Sequence, residues 1–79
     1  MIARPQEVRG AVAAHLQIEP ALLADGARLA DDLGLDSLAG IELATALEDR
    51  FSLRITDDEL AALRTYGDLE RLILRKVAA

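Results

Sequence analysis

The sequence predicts an all-α fold, a small four-helix bundle of three main helices and one short one, with a long loop between the first two. Three observations carry that prediction. The apolar content is almost wholly Leu, Ile, Val and Ala, with only Phe51 and Tyr66 aromatic, a composition that favours helices over strands. Apolar residues recur at helical spacings of three and four around Val8, Leu43 and Leu69. Thr56-Asp57-Asp58-Glu59 is a helix-start signature, a threonine with a glutamate three residues on.

The elements follow in order. Pro5 suits a first helical position, and Val8, Val12, His15 and Leu16 follow on one stripe, so the first helix is expected from about Arg4 to Leu16. Pro20 opposes continuation. From Gln17 to Asp36 the residues Ile18, Leu22, Leu23, Leu29, Leu33 and Leu35 recur without a clean period, punctuated by Pro20, Gly26 and Gly34. That pattern predicts a long loop pinned by its aliphatic side chains, because so many large apolar residues are incompatible with a solvated, disordered stretch.

The second helix is expected from Asp36 or Ser37 to about Phe51. With Ser37 at 0° and about 100° per residue, Gly40, Leu43, Ala44, Leu47 and Phe51 share one arc, which is assigned to the core. Leu38 and Ile41 fall off that arc, beside Ser37, Glu42, Thr45, Glu48 and Asp49. Two aliphatics among carboxylates and beside the serine read as a small docking surface, against the plainer reading that single exposed apolar residues are ordinary. The Thr56 signature opens a short third helix carrying Leu60 and Leu63 and ending at Arg64-Thr65. A fourth begins near Tyr66, with Leu69, Leu72, Ile73 and Val77 on one stripe and Arg71, Arg75 and Lys76 complementing its C-terminal dipole.

The 79 residues read as a single domain, 1–79, with no internal repeat. A core of that size leaves a net stability of roughly 3 to 5 kcal/mol. There is no cysteine, hence neither a disulfide nor a thiolate metal site. The first residues lack the pattern of a secretory signal, and an apolar run such as Ala11 to Ala14 is far shorter than the about 20 residues a bilayer requires, so a cytoplasmic location without membrane insertion is expected.

The net charge of −5 is concentrated: residues 29 to 60 hold nine acids against two arginines. Such an acidic pole repels nucleic acid and favours protein partners with basic surfaces.

Ser37 is the focus of the functional reading. A hydroxyl in the first turn of a helix lies near unpaired N–H groups and the positive end of the dipole, a setting that favours an attached phosphate. Nothing in the sequence activates it as a nucleophile, because the one histidine, His15, lies in another predicted helix, where it has no second histidine at metal-ligating spacing. No catalytic residue and no metal site are expected.

The motif Gly34-Leu35-Asp36-Ser37-Leu38 resembles that of acyl carrier proteins. The flanking Leu29-Ala30-Asp31-Asp32, Ile41-Glu42-Leu43, Ala46-Leu47-Glu48, Phe51 and Ile55-Thr56-Asp57-Asp58-Glu59 extend the resemblance over nearly the whole chain. It implies a non-catalytic carrier of the free-standing type, with 4'-phosphopantetheine joined by a phosphodiester to Ser37, making it a phosphoprotein whose arm holds acyl groups as thioesters. Asp36 and Leu38 would flank the attachment site, Asp36 as a helix cap or as a residue read by the modifying enzyme. Ile41, Glu42, Thr45, Glu48 and Asp49 would complete the docking face of the second helix.

The implied partners are a phosphopantetheinyl transferase, an acyl-loading or adenylating enzyme, and ketosynthase- or acyltransferase-type enzymes, met by a monomeric carrier in fatty acid, polyketide or related biosynthesis. Thr45 and Arg50 depart from the apolar and acidic character common at these points of the family, which bears on the choice of partners. The resemblance also implies shelter for an acyl chain near the small residues Gly40, Ala44 and Ala62. Two other functions fit the same residues, a peptidyl or aminoacyl carrier loaded by an adenylating enzyme, and an unmodified acidic helical adaptor for basic partners.

Overall fold

The computed structural model describes residues 3–78, in which four α-helices form and no strand does. Helix α1 spans Pro5–Leu16, α2 Ser37–Phe51, α3 Asp57–Ala62 and α4 Tyr66–Ala78. Pro5 opens α1, as its fixed φ allows, and the Arg4 N–H donates to Glu7 Oε1 at 3.3 Å. Gln17 ends the helix in the left-handed region at φ 58°, and the Ile18 N–H closes onto the Ala13 carbonyl at 3.0 Å.

The segment between α1 and α2 is more ordered than its lack of period suggests. Pro20–Leu22 forms a single 3₁₀ turn, and residues 29–33 form a run of turns. The Asp32 carboxylate accepts the Arg28 N–H at 2.8 Å, and Gly34 takes φ 69°, a conformation glycine adopts without steric cost. Leu23 is fully buried, and Ile18, Leu29, Leu33 and Leu35 pack against the core. Leu22 is the exception to the expected pinning: it is 60% exposed, because the 3₁₀ turn points only its successor inward.

Helix α2 ends at Ser52, also left-handed at φ 55°. Thr56 caps α3 reciprocally: its Oγ1 accepts the Glu59 N–H at 3.1 Å while Glu59 Oε1 accepts the Thr56 N–H at 2.9 Å. The Thr56 N–H and the Lys76 ammonium, 2.9 Å away on α4, hold the Glu59 carboxyl down at about 2. Helix α3 stops at Ala62, earlier than expected, and Leu63 is already extended at ψ 133°. None of its residues is fully buried, so the short helix lies over the bundle rather than within it.

The core joins α1, α2 and α4. Val8, Val12 and Ala13 meet Leu43, Leu47 and Phe51, and Tyr66, Leu69 and Ile73 close the cluster with Leu23. Each large side chain so buried contributes about 1.5–3 kcal/mol from removal of apolar surface from water. Tyr66 is completely buried and its hydroxyl donates to Glu70 Oε1 at 2.9 Å. Arg9 of α1 reaches the same carboxylate at 3.4 Å, with its guanidinium carbon 5.6 Å from the Tyr66 ring centroid, so one cation braces α1 against α4.

The start of α4 is stitched to the inter-helix segment. The Leu29 N–H donates to the Arg64 carbonyl at 3.0 Å, Tyr66 N–H to Ala27 at 2.8 Å and Gly67 N–H to Asp25 at 2.9 Å. Arg28 and Thr65 pair as an isolated antiparallel bridge. At Gly67 the backbones approach so closely that an added Cβ would collide with the Asp25 carboxylate and lie 2.8 Å from its main-chain oxygen. This seam fixes the segment that leads into α2.

Candidate functional site

Ser37 is the first residue of α2 and is exposed. Asp36 is its N-cap, with Oδ1 accepting the Ala39 N–H at 2.8 Å, so the carboxylate is committed to the helix start beside the serine. The positive φ of Gly34 turns the chain into this cap, and the Leu35 N–H, bonded to the Leu29 carbonyl at 2.9 Å, ties it down. Ser37 Oγ makes no hydrogen bond among the described residues, and the exposed His15 belongs to α1. The hydroxyl is presented without an activating base.

A largely apolar, partly open cavity of about 580 Å³ has this residue in its lining, with Arg28, Arg64 and three aspartates also contributing. Ser37 lines it together with Gly40 and Ala44 of α2, Leu60 and Ala61 of α3, and Leu35. A Cβ built on Gly40 meets nothing within 4 Å, so the missing side chain is part of what keeps the space open. Of the small residues singled out in the sequence, Gly40 and Ala44 line the cavity and Ala62 does not. Ala61 takes that place, one residue before the end of the short α3. A second hollow of about 610 Å³, beside Ile18 and Leu33, contains no residue of the serine site.

Leu38 and Ile41 are 66% and 53% exposed, large apolar side chains on the surface next to Ser37. Glu42, Thr45 and Asp49 are exposed on the same face. The Thr45 hydroxyl donates to the Ile41 carbonyl at 3.0 Å, so its proton is already used within the helix, and the residue is less polar toward a partner than its formula suggests. Glu48 differs from its neighbours. It is half-buried and its Oε2 accepts the Ile55 N–H at 2.8 Å, bracing the connection from α2 to α3.

The same site lies at the centre of the stretch shared with known proteins. The family described as "Phosphopantetheine attachment site" matches residues 6–73. A protein of Caulobacter vibrioides named "Acyl carrier protein" is 38% identical over 73 residues, covering 92% of this chain and 94% of the relative. The chain belongs to the acyl carrier protein family. Acyl carrier proteins of Rhodopseudomonas palustris and Thermosynechococcus vestitus are similar as well. The first is 40% identical over 68 residues, covering 86% of both chains, and the second 39% over 74 residues, covering 94% of this chain and 91% of its own.

For a member of the acyl carrier protein family, whose cofactor is 4'-phosphopantetheine, a serine without a base and a chain without cysteine are coherent features. Modification by a separate enzyme needs no base in the carrier, and the arm brings its own thiol. The site also accommodates the group: an exposed, unbonded hydroxyl in the first turn of a fifteen-residue helix opens onto apolar space. Sequence reasoning placed Ser37 at the start of α2 and Leu38 and Ile41 off the core, and the structure has them there. It missed the bracing role of Glu48, whose partner Ile55 lies seven residues away, outside the helical period.

Proposed function

We propose that this chain is an acyl carrier whose 4'-phosphopantetheine arm is attached through a phosphodiester to Ser37. The observation that carries the reading is a hydroxyl that is exposed, free of internal partners, and contiguous with a largely apolar cavity of about 580 Å³. The arm supplies a thiol that holds cargo as a thioester. Ser37 supplies only the hydroxyl, a phosphopantetheinyl transferase the catalysis, and residues 1–79 act as one non-catalytic, monomeric carrier domain.

On this reading Leu38 and Ile41 form the apolar centre of the docking face, with Glu42 and Asp49 as its charged rim, Thr45 between them and Glu48 at its partly buried edge. The charge of residues 29–60 supports partners with basic surfaces, among them the transferase, a loading or adenylating enzyme, and ketosynthase- or acyltransferase-type enzymes of cytoplasmic fatty acid, polyketide or related biosynthesis. The apolar part of the cavity wall, formed by Leu35, Leu60 and Ala44, suits the methylene chain of an acyl cargo.

Intact mass spectrometry tests the attachment. Incubation with coenzyme A and a broad-specificity transferase is expected to add one arm to the chain and none to Ser37→Ala. An unchanged mass, under conditions that modify a control carrier, would leave the unmodified helical adaptor as the better reading.

A further inference from the structure

The cavity beside Ser37 is apolar in its walls but carries two arginines, Arg28 and Arg64, among its lining residues. They come from distant parts of the chain and are brought together by the seam, through the bridge between Arg28 and Thr65 and the bond from the Leu29 N–H to the Arg64 carbonyl at 3.0 Å. Neither guanidinium is strongly committed. Arg64 Nη1 donates to the Ala61 carbonyl at 3.3 Å, and among the described residues no carboxylate lies within ion-pair distance of it. The nearby Asp68 carboxylate accepts the Arg64 main-chain N–H instead. Arg28 Nη1 pairs with Asp31 at 3.3 Å, but both side chains are about two-thirds exposed, a setting in which such pairs are weak and readily exchanged.

We infer that Arg28 and Arg64 form an anion-holding edge of this cavity, serving an oxyanion that the arm itself delivers. The inference rests on Ser37 being the attachment point. The lining also contains Asp31, Asp36 and Asp57, so three acids stand against two bases and a free anion gains little there. A tethered anion differs, because covalent attachment at the cavity raises its effective concentration to the millimolar range or above, where a weak guanidinium contact suffices. Arg28 keeps a weak pairing with Asp31, whereas Arg64 has no carboxylate within ion-pair distance among the described residues, which leaves Arg64 as the cation with most to gain. Arginine's planar fork matches carboxylate and phosphate oxygens alike. The anion therefore comes either from the phosphodiester at Ser37 or from a carboxylate at the far end of a dicarboxylic acyl group.

The test compares four forms of the protein, unmodified, arm-bearing, hexanoyl-loaded and adipoyl-loaded, each verified by intact mass. The two acyl groups differ only in a terminal methyl or carboxylate. Arginine side-chain N–H resonances and melting temperature at low salt are read in the wild type, Arg28→Gln, Arg64→Gln and Arg64→Lys. A cargo carboxylate at this edge shifts the Arg64 side-chain signal between the hexanoyl and adipoyl forms. It also raises the adipoyl melting temperature by about 2 °C, a gain lost in Arg64→Gln, partly kept in Arg64→Lys and reduced by salt. If the phosphodiester is the ligand, the shift appears on attachment of the arm and is the same for both cargoes.

Silent arginine signals across all four verified forms, with Arg28→Gln and Arg64→Gln matching the wild type, would overturn the inference and leave the carrier reading intact. Failure of Ser37 to accept the arm at all would overturn both.

Discussion

Glu48 and Ile55 are joined across the turn between α2 and α3 by a hydrogen bond of 2.8 Å from the Ile55 N–H to the Glu48 carboxylate. An acid grouped by the helical wheel with the off-core Leu38 and Ile41 is thus a structural brace. Glu48→Ala is expected to cost about 1–2 kcal/mol in urea unfolding, because it leaves a partly buried N–H without its charged acceptor. Glu42→Ala and Asp49→Ala, at exposed positions, are expected to stay within about 0.5 kcal/mol of the wild type. Equal losses for all three would count against the bracing role.

The close approach of Gly67 to Asp25 leaves no room for a side chain. Gly67→Ala is expected to destabilise by about 1–3 kcal/mol despite alanine's better helix propensity, since either the Asp25 segment or the start of α4 must shift. Differential scanning calorimetry would register a fall in melting temperature of at least about 5 °C. A neutral or stabilising result would show that the seam yields without cost.

Gly40 makes the opposite prediction. A Cβ at this position would have nothing within 4 Å and the residue is inside a helix, so Gly40→Ala is expected to stabilise the unmodified protein by about 0.5–1 kcal/mol. The added methyl also takes space from the cavity. Stabilisation of the acyl-loaded form relative to the arm-bearing form is therefore expected to shrink, most for the longest chains, when melting temperatures are compared over a series of acyl lengths.

Burial, and then the bond to the Glu70 carboxylate, push the Tyr66 hydroxyl well above the ordinary tyrosine range. The folded state therefore holds this proton more tightly than the unfolded chain, in which tyrosine titrates near pH ~10. The contribution to stability is complete below that pH and is lost as pH rises above it, at about 1.4 kcal/mol per pH unit until the folded hydroxyl itself ionises. Tyr66 is the only tyrosine, so its ionisation, followed by ultraviolet absorbance, is expected to coincide with loss of helical circular dichroism. Ionisation near pH ~10 with the helices intact would contradict the burial.

Much of this arrangement was legible in the sequence because it depends on local patterns. Pro5, the Thr56–Glu59 pair and the wheel of α2 each concern residues within a turn or two of one another, and α1, α2 and the start of α3 appear where those patterns place them. Leu43, Leu47 and Phe51 are buried as their arc requires, and Leu38 and Ile41 are exposed. One local signal went unread, and pairing at a distance left none. Thr65 caps α4 through Asp68, with the Thr65 N–H donating to Asp68 Oδ2 at 3.1 Å and the Asp68 N–H returning to Thr65 Oγ1 at 3.2 Å. That signal stood in the sequence with aspartate in the glutamate position. The contacts of Asp25, Ala27 and Leu29 with Gly67, Tyr66 and Arg64 had no counterpart in any period, and so the segment between α1 and α2 read as looser than it is.

The three main-chain bonds that tie residues 25–29 to the start of α4 also impose an order on biogenesis. Because synthesis proceeds from the N-terminus, a ribosome-bound chain that has emerged only as far as α3 has Ser37 but not the support that sets the approach to it. The geometry of the approach to Ser37 thereby depends on a helix distant from it in sequence, and a chain lacking α4 lacks that support.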